Sequence, residues 1–322
     1  MSIKTSFDKV DLLLVAPKNQ NSSSLRQSLT DLEFRDIRTG SSVEDIRHAL
    51  ETRPPDLLIT DADLSDGDVC AFISDIRNHR VGTNPFMSII VTTWSPSESL
   101  VHRVVESGAD DLLVQPASRG QLRSRIDALT FNRKPFVITA RYIGPDRRNM
   151  TRSTAKMTGT AVHVPNLLLA KASGDKDAGE LQRAVDAAVA AVNKNKLSRN
   201  AVHIGYLVKQ ILAAYKEKTI DGHLVDFLGV LVVTAEDAAR RLTTTPYAAA
   251  SKLCDALVRV AKRMEQSFRS PDPKDLRLLP QLAMSIHLAL KDVNSDTETA
   301  ADEISEAISG AVGGKARKAI HG

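Results

Sequence analysis

The stretch Pro55-Asp56-Leu57-Leu58-Ile59-Thr60-Asp61 decides the fold of the first part of the chain. Its apolar run shows no alternation with polar residues, the pattern of a strand covered on both faces, and it ends on a carboxylate. The same pattern lies upstream at Leu12-Leu13-Leu14-Val15 and downstream at Ser88-Ile89-Ile90-Val91. Amphipathic segments fill the intervals. Strands are expected at Val10–Val15, Phe34–Thr39, Asp56–Thr60, Met87–Thr92 and Asp111–Val114. Helices are expected at Ser23–Leu32, Val43–Leu50, Val69–Arg77, Glu98–Ser107 and Gln121–Leu129. Strands that alternate with helices build a parallel sheet, because each crossover must return across it. Chemistry in such a sheet gathers at the carboxyl ends of the strands, here Ala16-Pro17, Asp61, Thr92-Thr93 and Gln115-Pro116.

Composition narrows the function classes. The 322 residues allow two domains, and 42% apolar with 25% charged residues is the balance of a soluble globular chain. Aromatics at 4% supply no stacking surface for single-stranded nucleic acid. A net charge of +4 is too small to point to nucleic acid by itself. Cys70 and Cys254 are too few and too far apart for a disulfide scaffold or a cysteine zinc cluster, and they suit a reducing compartment. The longest apolar run, Phe227 to Ala235, is about half a membrane span, and the first residues do not read as a signal peptide. A cytoplasmic protein with no membrane contact is expected.

Together with Gly108-Ala109-Asp110-Asp111-Leu112-Leu113-Val114-Gln115-Pro116, the opening stretch resembles the response-regulator receiver domain of the CheY-like type, over about residues 8–131. The resemblance implies a flavodoxin-like, doubly wound five-stranded parallel sheet. It also implies phosphotransfer, with an acidic pair after strand one for Mg²⁺, a phosphoacceptor aspartate after strand three, Thr or Ser after strand four and Lys after strand five. Mg²⁺ needs several hard oxygen ligands, and a phosphoryl group in flight needs its charge neutralised. This sequence departs from that pattern. Ala16 and Pro17 stand at the acidic pair, Gln115 at the lysine and Leu112 at the aromatic switch position. Asp61 remains as phosphoacceptor candidate, with Thr93, or Thr92 beside it, after strand four. Asp63, Asp66 and Asp68 could replace the missing acids in part. A degenerate pseudo-receiver is expected, with no cofactor; Mg²⁺ enters only if Asp61 is a working acceptor. By resemblance, the face of about Glu98–Leu129 is the expected contact surface.

From 132 to 177 the periodicity disappears and Arg133, Lys134, Arg141, Arg147, Arg148, Arg152 and Lys156 gather, while Lys134–Ile143 is read as either an extended strand or a stretch lying along the receiver. Tyr142-Ile143-Gly144-Pro145-Asp146-Arg147-Arg148, with Val164-Pro165-Asn166, is similar to a linker that follows receiver-like domains in alphaproteobacterial signalling proteins. Like charges in a run usually form a solvated linker; docking to an acidic partner or to an acidic face of the same protein, with Arg147 and Arg148 as candidates, is the next reading. Nucleic-acid binding ranks last, without zinc ligands or helix-turn-helix spacing.

Residues 178–313 read as an all-α helical bundle, and 314–322 as a tail. Helices are expected at Ala178–Val192, Leu197–Tyr215, Asp221–Leu242, Thr245–Phe268, Leu276–Leu290 and Thr297–Val312, with Pro280 a kink or a first-turn residue. A histidine phosphotransfer domain would present an exposed His followed closely by Lys and Gly. His203 comes nearest, ahead of His223 and His287, and none reproduces the pattern. No phosphate-binding glycine loop, zinc protease motif or serine nucleophile elbow is present. The expected protein is therefore not an enzyme. It is a two-component-type signalling protein that binds partners such as a histidine kinase or a receiver, or pairs with itself. The alternatives are a response regulator phosphorylated on Asp61 and a nucleic-acid-binding output protein using the basic linker.

Overall fold

The structure is a computed structural model that describes residues 6–17, 20–147, 160–174 and 177–290. One unit takes in the described residues up to 147 and those within Ala161–Ala190; the second takes in Thr160 and the described residues from 191 to 290.

In the first unit, β1 (Asp11–Val15), β2 (Asp36–Gly40), β3 (Leu57–Asp61), β4 (Ser88–Thr93) and β5 (Asp111–Val114) form one parallel sheet in the order β2-β1-β3-β4-β5. The crossovers are α1 (Gln20–Asp31), α2 (Val43–Thr52), α3 (Val69–Arg77), α4 (Glu98–Ser107) and α5 (Arg119–Phe131). Side chains alternate across the sheet. Leu13, Val15, Leu58, Ile89 and Val91 join Ile46, Ile73, Ile76 and Val104 on one side. Leu12, Leu14, Leu57, Ile59, Ile90 and Leu113 join Leu29 and Ile126 on the other. Side chains set several helix starts. Ser42 and Asp45 form a capping box at α2, as do Ser118 and Gln121 at α5, which begins two residues before the expected Gln121. Gly108, at φ +84°, ends α4 in the left-handed conformation that favours glycine.

The segment expected as an irregular linker is not irregular. It carries β6 (Phe136–Ile138), β7 (Ile143–Pro145) and β8 (Thr160–Val162), joined as a second sheet in the order β7-β6-β8, and α6 (Leu167–Ser173). Strands of three residues are too short to show a period in sequence. Leu168 and Ala172 of α6 enter the core under α1 and α5, and the Asn166 side chain donates to the carbonyls of Leu129 and Thr130 at 2.8 and 3.0 Å.

The two helices expected over 178–215 are one, α7 (Ala178–Glu217). The intervening Asn193-Lys194-Asn195-Lys196 contains neither Gly nor Pro, so the backbone ladder continues through it. The Asn195 amide bonds the Ala191 carbonyl at 2.9 Å. The divide between the units falls after Ala190, inside α7, where the sequence expectation put a boundary at 177–178. The second unit continues with α8 (Gly222–Leu242), α9 (Ser251–Gln266) and α10 (Pro273–Ala289). Ile204 and Ile211 of α7 meet Leu228 and Leu231 of α8, Leu257 and Met264 of α9, and Leu279 and Ile286 of α10 in one core. Pro273 occupies the first turn of α10 after the cap Asp272, and Pro280 lies inside the helix. The expected helix at Thr297–Val312 and the tail lie outside the described residues.

Candidate functional site

Strand order reverses between β1 and β3, and a small cleft opens there at the carboxyl ends of the strands. Ala16 and Pro17 reach it from the end of β1, Asp61 from β3, Thr92 and Trp94 from β4 and its exit, and Gln115 from the end of β5; Ser22 and Leu25 of α1 complete it.

Asp61 is 6% exposed. Its Oδ1 accepts the Asp63 N–H at 2.9 Å and its Oδ2 accepts the Thr92 hydroxyl at 3.4 Å. Burial raises its pKa above the ordinary carboxylate range; the Asp63 N–H opposes this, the Asp63 charge adds to it, and the Thr92 hydroxyl opposes it. Thr93, named first from the sequence, is fully buried, and its hydroxyl accepts the Ser95 N–H at 3.2 Å. Thr92 carries the hydroxyl that meets Asp61, because these two residues are register partners on neighbouring strands. Gln115 accepts the Ala117 N–H through Oε1 at 3.1 Å.

Two of the three acids expected to compensate for Ala16 and Pro17, Asp66 and Asp68, have other work. Asp66 accepts the Val43 and Glu44 N–H groups at 2.9 and 3.2 Å. Asp68 caps α3 through the Cys70 and Ala71 N–H groups and pairs with Arg103 at 2.8 Å. Among the described residues, Asp61 is the one carboxylate lining the cleft, and no group of three His, Cys, Asp or Glu side chains could hold a metal ion. A hard dication wants several oxygen ligands. This donor set does not fit Mg²⁺.

The family profile of the response regulator receiver domain matches residues 12–127. Those residues form a receiver domain. The match leaves the rest of the chain, including the helical unit, outside it. The KDP operon transcriptional regulatory protein KdpE of Escherichia coli (strain K12) is 37% identical over 75 residues, 23% of this chain and 31% of that protein. The probable chemotaxis protein CheY of Rhizobium etli is 25% identical over 125 residues, 38% of this chain and 93% of that protein. The chain matches only 31% and 39% of the lengths of KdpE from Escherichia coli and from Staphylococcus aureus. Among solved structures, the receiver domain of the putative response regulator NarL from Mycobacterium tuberculosis is similar at 12% identity and a TM-score of 0.34, covering 37% of this chain and 95% of that one.

Several sequence expectations lie away from the cleft. Arg147 docks within the chain: its guanidinium donates to the Ala109 and Asp110 carbonyls of the receiver domain itself. Arg148 lies outside the described residues. Arg133, read as solvated, is buried against Asp110. His203 is 7% exposed, with Nδ1 3.5 Å from the Thr234 hydroxyl, so it does not present the open imidazole a phosphotransfer partner must reach. Cys70 and Cys254 are buried free thiols. No helix among the described residues is long and apolar enough to cross a membrane.

Sequence reasoning missed two residues. Trp94, 43% exposed, flanks the cleft; its signal was its position just past the end of a buried strand. Asp110 anchors three arginines, and only the carbonyl and guanidinium positions in space reveal it.

Proposed function

We propose that this chain is a two-component-type signalling protein that works by binding, not by turnover, through a pseudo-receiver that does not depend on phosphorylation. The observation that carries this is the single carboxylate of the cleft among the described residues: Asp61 has Thr92 and Gln115 beside it, with Ala16 and Pro17 where metal ligands would stand. Without a bound dication the charge of an incoming phosphoryl group goes unneutralised. The helical unit is the partner-binding or self-association module in this reading. Its partners are signalling proteins such as a histidine kinase or another receiver, and its setting is the cytoplasm.

A second reading, a response regulator phosphorylated on Asp61, is favoured by one feature. Asp61 sits at the strand end, bonded to a threonine hydroxyl and open to the cleft. Incubation with acetyl phosphate and Mg²⁺, followed by intact-mass analysis, separates the two. The pseudo-receiver gains no phosphoryl adduct. An adduct that disappears in Asp61→Asn establishes the second reading instead.

A further inference from the structure

The hairpin β6–β7 and the residues flanking it cover the amino-terminal end of the receiver sheet, opposite the Asp61 cleft. Their hydrogen bonds to the sheet fall just before β4 and β5 begin. Arg133 donates to the Phe86 carbonyl at 2.6 Å and to the Met87 carbonyl at 3.2 Å, ahead of β4. It also pairs with Asp110, ahead of β5, at 3.1 Å. Arg77 of α3 holds the same carboxylate at 2.8 Å and the Gly108 carbonyl at 2.8 Å. The Phe136 ring lies under both guanidinium groups, with centroid distances of 5.2 Å to Arg77 and 5.1 Å to Arg133.

The three residues between α4 and β5 are therefore gripped one after another. Gly108 gives its carbonyl to Arg77, Ala109 gives its carbonyl to Arg147, and the Asp110 carboxylate takes Arg77, Arg133 and the Ile89 N–H. Gly144 of β7 presses on this turn: a Cβ placed there would stand 2.7 Å from the Gly108 Cα. Backbone meets backbone at that point, which only glycine permits. The gripped turn joins the two elements that carry exposed Val101 and Val114, and β5 runs on to Gln115 in the cleft.

We propose that residues 133–147 are a built-in strap that fixes the α4–β5 turn, so that the face carrying Val101 and Val114 is held in one conformation whatever the state of Asp61. This rests on the binding-module reading and deepens it: the strap holds the binding face ready without a switch. A surface set in this way loses no binding energy to rearrangement.

Hydrogen exchange on the full-length protein tests the strap. In Gly144→Ala, whose new Cβ cannot coexist with the Gly108 backbone, amides of residues 98–114 exchange about tenfold faster, while those of β1 and β3 keep their wild-type rates. Arg147→Ala, which removes the two carbonyl contacts and the interaction with Tyr142, shows the same pattern to a smaller extent and serves if the glycine variant does not fold. Unchanged exchange over 98–114 in Arg147→Ala, or acceleration spread evenly over the whole sheet in either variant, overturns the proposal. Phosphorylation of wild-type Asp61 with steady exchange over 98–114 would contradict the proposed function and leave the strap standing.

Discussion

Asp61 and Thr92 are register partners on β3 and β4, and the Thr92 hydroxyl donates to the Asp61 carboxylate at 3.4 Å in a cleft that offers no second carboxylate among the described residues. A carboxylate placed this way is costly to ionise. Burial raises its pKa, and among the described residues no cation lines the cleft to reverse that. When the folded pKa lies above the unfolded value, the group's contribution to stability is complete below the unfolded value and lost as pH rises through the folded one. Asp61→Asn keeps an acceptor for the Asp63 N–H and removes the charge. At neutral pH the variant should melt above the wild type, and the gap should close once pH falls below the ordinary carboxylate range. Thermal melts at both pH values check this.

Asp110 separates two buried cations. The side chains of Arg77 and Arg133 are 0% and 5% exposed, and burial lowers the Arg77 pKa to about 10, which leaves it charged at neutral pH. Asp110→Ala strands both charges, and breaking a buried pair in this way costs about 3–5 kcal/mol. The receiver domain's urea midpoint should fall accordingly, with Asp110→Asn intermediate because it keeps an acceptor oxygen.

Two glycines with the same backbone conformation should respond differently to alanine. Gly108 has φ +84° and a Cβ there would stand 2.5 Å from the Ile143 carbonyl oxygen, whereas Gly174 has φ +70° and meets nothing within 4 Å. Gly174→Ala should cost only the left-handed penalty, about 1–2 kcal/mol. Gly108→Ala adds displacement of the strap and should cost at least about 1–3 kcal/mol more. Denaturant unfolding of the two variants in parallel measures the difference.

In the helical unit, Asp237 accepts from Arg241 Nε at 2.9 Å, Arg240 Nη2 at 2.8 Å and Asn200 Nδ2 at 2.9 Å. Burial works against its ionisation, yet Arg241 and Lys196 prevail and hold it well below the usual carboxylate range. Its contribution is therefore present above the unfolded pKa and lost only as pH falls through the lower folded value. Asp237→Asn removes the charge facing Arg241 and should cost about 3–5 kcal/mol at neutral pH, with little cost in strong acid. Helical ellipticity followed in urea at both pH values reports it.

Apolar runs made the receiver sheet legible, because short unalternating runs such as Leu57–Asp61 recur between amphipathic segments, the pattern of strands buried on both faces. Helix ends were less legible. Arg119–Phe131 starts two residues early through the Ser118 and Gln121 side chains, a local signal that apolar spacing ignores. The strap was hidden for a different reason. Arg133 and Arg147 look like a solvated charge run, and their partners, Asp110 and carbonyls ahead of β4 and β5, lie 23 to 47 positions away in sequence. In the cleft, Ala16, Pro17, Asp61 and Gln115 came from the sequence. The choice between Thr92 and Thr93 did not, because it depends on which neighbouring side chain points to the Asp61 face of β4.

The most direct test of the central claim, a cleft without a dication cage, is an Mg²⁺ titration by calorimetry, followed in parallel by emission from Trp94, the only tryptophan in the chain and part of the cleft wall. The account predicts no saturable heat and no change in Trp94 emission in either the wild type or Asp61→Asn. Saturable binding in the micromolar range, with a Trp94 response that Asp61→Asn abolishes, would contradict it.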